Sequence, residues 1–149
     1  MKKYVLFGTI CAGLCFGSIR FFRTKRPDRY FQWYKTLYQW VLIRQEQIQI
    51  ADYFRGKGYK RVAVYGMGEL GRLFLRELRD KDIEIPYVID QNARSISVPG
   101  IKTIELKDVK QDVDVIVVSV VDKFETIKAD IERNVDVPVI SLDDVLFSL

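Results

Sequence analysis

The sequence predicts an α/β fold: a doubly wound, five-stranded parallel sheet over residues 59–149, preceded by N-terminal helices. Three observations carry this. Apolar runs of strand length alternate with stretches of helical spacing. The first run, Arg61-Val-Ala-Val-Tyr65, passes directly into Gly66-Met67-Gly68-Glu69-Leu70-Gly71. The next run, Tyr87-Val-Ile-Asp90, ends on an acid. Alternating β and α elements imply a parallel sheet wound on both faces, with strand order 3-2-1-4-5.

Residues 1–22 form an apolar N-terminal segment. Tyr4 to Ile19 is almost wholly apolar, with Lys2 and Lys3 before it and Arg20 after it. Phe21 and Phe22 extend it past Arg20, whose side chain can snorkel. A bilayer needs roughly 20 apolar residues, so the length is marginal for a membrane anchor. A cleaved signal peptide and an apolar leader that packs on a partner are the alternatives. Gly13 and Gly17 make a GxxxG pair, which lets membrane helices approach closely. Arg20, Arg23, Lys25, Arg26 and Arg29 follow the segment, and this positive flank places the rest of the chain on the cytoplasmic face of the cell membrane. Without an anchor, the location is the cytoplasm.

Composition narrows the chemistry. The chain has 149 residues, 48% hydrophobic and 30% charged, and a net charge of +4, which suits a globular protein with its own core. It has no histidine, which excludes Ser-His-Asp and Cys-His catalysis and removes the commonest metal ligand. Its two cysteines, Cys11 and Cys15, build neither a metal cluster nor a disulfide framework. The positive excess is local and no nucleic-acid module is recognisable, so nucleic acid is not an expected partner.

Residues 23–58 read as a basic, aromatic helical region. Pro27-Asp28 is a helix start, and Phe31, Tyr34, Leu37, Tyr38, Val41 and Leu42 follow helical spacing up to Ile43. Trp33 and Trp40, seven apart, share a neighbouring face. Such a helix either lies in the lipid headgroup zone or packs on the sheet or on another protein. A second helical stretch covers Glu46 to Arg55, with Ile50, Ala51 and Phe54 inward, ended by Gly56 and Gly58.

The glycine run has the layout of a dinucleotide-binding turn. Lys60 to Tyr65 is a buried strand, and Gly66 allows the sharp turn after it. Gly68 lets a backbone approach a pyrophosphate, and Gly71 lets helix pack on strand. The helix runs from Glu69 to Asp80, and its N-terminal N–H groups favour a phosphate. Asp90 can accept hydrogen bonds from ribose hydroxyls and repels a 2′-phosphate, which favours NAD or a nucleotide sugar over NADP; Arg94 nearby weakens that discrimination. The plainer reading makes the glycines fold requirements and Asp90 a strand-end cap.

The remaining elements complete the pattern. Ile101 to Leu106 is the third strand and Val113 to Val120 the fourth. A helix follows from Asp122, with Glu125 closing a capping box and Phe124, Ile127 and Ile131 as its stripe. Pro138 to Leu142 is the fifth strand and Asp143 to Leu149 a terminal helix. Ligands of such sheets bind beyond the carboxyl ends of the strands, between strands one and four. The candidate binding residues are Gly66, Met67, Gly68, Glu69, Leu70, Gly71, Asp90, Arg94 and Ser119.

At Gly58 to Gly71, Tyr87 to Asp90 and Val137-Pro-Val-Ile-Ser-Leu142, the chain resembles a bacterial family of small Rossmann-type domains associated with surface and capsular polysaccharide synthesis. Similar domains form the N-terminal nucleotide-sugar-binding part of sugar O-acyltransferases and the tail of sugar C-methyltransferases. The resemblance covers residues 30–149. The acyltransferases carry their catalytic base in a β-helix beyond this domain, which this chain does not include, so the transfer activity does not carry over. The resemblance implies an accessory role, with a glycosyltransferase or another polysaccharide-synthesis protein, or a second copy of the chain, as partner.

The residues themselves argue for binding over catalysis. A short-chain dehydrogenase needs a Tyr-x-x-x-Lys pair after the fourth strand, yet no tyrosine follows Tyr87. Glu69, Asp90, Ser119 and Asp122 are the polar groups near the crevice, and binding or capping suits them better than proton transfer. The expectation is a nucleotide or nucleotide-sugar binding module. The alternatives are an interaction scaffold that kept the fold without a ligand and an NAD-dependent oxidoreductase subunit.

Overall fold

A computed structural model describes residues 28–149; the apolar segment expected over residues 4–22 lies outside them. Five strands form one parallel sheet: β1 (Val62–Tyr65), β2 (Tyr87–Ile89), β3 (Lys102–Ile104), β4 (Val115–Val118) and β5 (Val139–Ser141). Their order is β3-β2-β1-β4-β5, as the alternation implies. The order reverses between β1 and β4, which pair through Val62↔Val115 to Tyr65↔Val118.

Strand periodicity sorts the core into two layers. Val62, Val64, Val88, Val115 and Val117 point to one face. Four helices cover it: α1 (Arg29–Gln45), α2 (Ile50–Lys57), α3 (Glu69–Leu78) and α5 (Leu142–Phe147). Ala63, Tyr65, Ile89, Ile116 and Val118 point to the other, under Ile127 and Ile131 of α4 (Phe124–Glu132). Phe54 of α2 and Phe74 of α3 are fully buried with ring centroids 6.0 Å apart. Truncating either to alanine costs about 3–5 kcal/mol. The helices before β1 are therefore part of the same core as the sheet.

Helix boundaries have local causes. Asp28 caps α1 by accepting the Tyr30 amide at 3.3 Å. The second helix starts at Ile50 rather than Glu46, because Glu46–Gln49 form a turn with Gln47 at φ 60°. α3 stops at Leu78, two residues short of Asp80, which sits at φ 61°. The capping box expected at Asp122 and Glu125 does not form. Val121–Lys123 makes a 3-10 turn first, so α4 begins at Phe124 and the two acids miss the cap positions. A capping box stands instead at α5, where Ser141 Oγ accepts from Asp144 N and Asp144 Oδ2 from Ser141 N, at 2.9 Å each.

The aromatic helix is apolar on two sides. Thr36, Trp40 and Ile43 face the core, while Tyr30, Phe31, Tyr34, Leu37, Tyr38 and Val41 are exposed. Trp33 is partly buried and packs against the core. Among the described residues, no helix is long and apolar enough to cross a membrane.

Candidate functional site

The carboxyl ends of β1 and β4 meet at the glycine turn. Gly66 takes φ 93°, a left-handed conformation, and a Cβ there would lie 2.7 Å from Val120 Cγ2. At Gly71 a Cβ would stand 1.9 Å from the carbonyl oxygen of Gly66, so the first turn of α3 packs directly on the turn that precedes it. Both glycines are dictated by the fold. Gly68 differs. Its φ of −72° and ψ of −164° suit any residue, it is exposed, and a Cβ there meets nothing within 4 Å.

Polar groups fix the turn from behind. Ser119, buried at the end of β4, holds its Oγ 2.7 Å from Gly66 O and 3.1 Å from Tyr65 O, and its amide donates to Tyr65 O at 2.9 Å. Asp90, half-buried after β2, accepts from Met67 N through Oδ2 and from Asn92 N through Oδ1, at 2.8 Å each. Arg72 Nε donates to Met67 O at 3.1 Å from one turn into α3. Asn92 and Arg72 lie outside the sequence motif. Arg72 stood at a spacing that returns a long side chain to the turn, whereas the Asn92 contact uses backbone and leaves no residue-type signal.

The candidate residues thus divide by what they offer. Met67 and Leu70 bury their side chains in the core and present only backbone. Gly68 is the N-cap of α3, where no side chain caps the helix, which leaves first-turn N–H groups to water or a ligand. Glu69 is exposed in that first turn. Its carboxylate suits the positive helix end but repels an incoming phosphate. Arg94 is not at the turn: it is strongly exposed and pairs with Glu105, just past β3, at 3.5 Å. Burial pushes the Tyr65 phenol above its usual range at the end of β1.

Chemically, this arrangement can bind a group close to backbone at Gly68 and to the N-terminus of α3. Among the described residues, Asp90, Arg72 and Ser119 at the turn each bond its backbone. Among the described residues, no three of His, Cys, Asp and Glu are placed to hold a metal ion. Residues 58–139 match the family model described as C2185-like, N-terminal. No curated protein matches the chain.

Proposed function

The chain belongs to the C2185-like N-terminal family, and we propose that it is a module binding a nucleotide or nucleotide sugar, without catalytic machinery of its own. The observation that carries this reading is Gly68. Gly66 and Gly71 are explained by the fold, whereas Gly68 has ordinary dihedrals and open space where a side chain would stand. A glycine that folding does not demand, at the uncapped start of a 10-residue helix, suits close approach of a pyrophosphate. Asp90 keeps one lone pair on each oxygen after its two amide bonds, enough to accept from a ribose hydroxyl.

By the resemblance noted above, the setting is bacterial surface-polysaccharide synthesis, at the cytoplasmic face of the membrane and beside a glycosyltransferase or similar protein. NAD is the competing ligand and would make the chain an oxidoreductase subunit. Equilibrium titration with UDP-, CDP- and dTDP-sugars and with NAD tests the reading. Saturable binding of one class, lost in Gly68→Trp, supports it; no binding of any class contradicts it. A second reading, a scaffold without ligand, is favoured by the engagement of Asp90 and Ser119 in holding the turn.

A further inference from the structure

We propose that the outward face of α1 rests on an anionic lipid surface, with the helix lying in the membrane plane. This inference uses α1 and the charge distribution alone and stands apart from the nucleotide reading. About half a revolution from the buried Thr36, Trp40 and Ile43, the side chains of Phe31, Tyr34, Tyr38 and Val41 are all exposed, Tyr34 by 61% and Tyr38 by 55%. Tyr34 and Tyr38 stack on one another with centroids 5.9 Å apart. Leu37 and Val41 carry the apolar surface into a groove of about 500 Å³ against Leu73 of α3. A helix with apolar stripes on opposite sides calls for a cover on each.

Charge decides what covers the outer one. Residues 1–45 hold nine lysines and arginines against a single acid, Asp28. Residues 46–149 hold fifteen against nineteen acids. Residues 1–45 therefore sum to +8 and the remainder to −4, within a total of +4. No acidic residue lies between Arg29 and Gln45. A second copy docked face to face would bring together two α1 helices, each carrying Arg29, Lys35 and Arg44 and no acid. An anionic surface attracts the basic first 45 residues and repels the acidic remainder, and each Lys or Arg near such a surface strengthens binding about fivefold. Tyrosine and phenylalanine suit the headgroup depth where such a helix would lie.

The test uses the full chain with Cys11→Ser and Cys15→Ser. A bimane label is attached at Val41→Cys on the outward face or, as control, at Glu132→Cys on α4. Each protein is reconstituted with phosphatidylglycerol or phosphatidylcholine vesicles containing a nitroxide-labelled lipid. The expected result is strong quenching at position 41 in phosphatidylglycerol, at least halved in phosphatidylcholine or in 1 M salt, where the Debye length is about 3 Å. Position 132 stays unquenched throughout. Equal, weak quenching at the two positions overturns the proposal. So does quenching at 41 that ignores lipid charge and salt. A blue shift at 41 without quenching that grows with protein density assigns the face to a second copy and also overturns it.

Discussion

Asp90 Oδ2 accepts the amide of Met67 at 2.8 Å, so the acid that ends β2 closes the glycine turn that follows β1. Its other oxygen accepts Asn92 N at the same distance, and one half-buried carboxylate thereby joins two loops. Hydrogen bonds to a charged acceptor contribute about 1.5–3 kcal/mol each, and partial exposure puts these at the low end. Asp90→Ala should destabilise the chain by about 3 kcal/mol in urea unfolding, and Asp90→Asn by less, since its amide oxygen still accepts. An alanine variant as stable as the wild type would show that the turn closes without Asp90.

The glycines of the turn should respond differently to one methyl group. Gly71→Ala places Cβ 1.9 Å from Gly66 O, which nothing short of a backbone shift relieves. A loss of at least about 3 kcal/mol, or failure to fold, is expected. Gly68→Ala meets open space, and its stability should stay within about 1 kcal/mol of the wild type. Thermal unfolding of the two variants side by side checks the contrast, and equal losses would contradict it.

Glu69 stands exposed in the first turn of α3, the end of the helix that a phosphate would approach. Glu69→Gln removes a like charge and should tighten binding of an anionic ligand about threefold at low salt, with the gain shrinking as salt rises. Weaker binding in Glu69→Gln would mean that the carboxylate contacts the ligand directly.

Thr36 and Asp143 tie α1 to α5. Thr36 Oγ1 lies 2.6 Å from Asp143 Oδ1 and 2.9 Å from Gln32 O. The hydroxyl donates to the Asp143 carboxylate, and the Gln32 carbonyl competes for the same proton. Burial pushes the Asp143 carboxyl above its ordinary value, with the Thr36 hydrogen bond a smaller opposing effect. The folded chain then holds this proton more tightly than the unfolded chain, and the stability from this group falls as pH rises from the ordinary carboxylate value through the raised one. Asp114 runs the other way. Its carboxylate is lowered by the amides of Arg61 and Lys60, and its contribution is lost as pH falls through the depressed value. Asp143→Asn should therefore gain on the wild type at pH 7, with the gain shrinking towards pH 4. A gain independent of pH in urea midpoints would contradict this.

The parts of the fold set by short-range pattern were legible in the sequence. Unbroken apolar runs, Val62-Ala63-Val64-Tyr65 and Val115-Ile116-Val117-Val118, gave β1 and β4, and Gly66 and Gly71 have the turn and packing roles read from their spacing. The start of α4 was not legible. A 3-10 turn at Val121–Lys123 moves the helix away from Asp122, which lies 4.0 Å from Arg29 of α1, a contact set by tertiary packing. The same limit applies to α1. Its apolar spacing over Phe31, Tyr34 and Tyr38 was plain, but periodicity does not say which of two apolar faces meets the core. At the site, the sequence marked Asp90 and Ser119, while their backbone partners in the turn depended on how three loops converge.

The most direct measurement is a thermal-shift comparison of the full-length protein in detergent, wild type against Gly68→Trp, across nucleotide sugars and NAD. Gly68 projects into open space, so the two proteins should unfold at the same temperature without ligand. At 100 times its dissociation constant, a ligand stabilises by about 2.7 kcal/mol, which is readily seen. A shift with one ligand class in the wild type and none in Gly68→Trp is the predicted result. No shift with any of them, or an equal shift in both proteins, would contradict a nucleotide site at this turn.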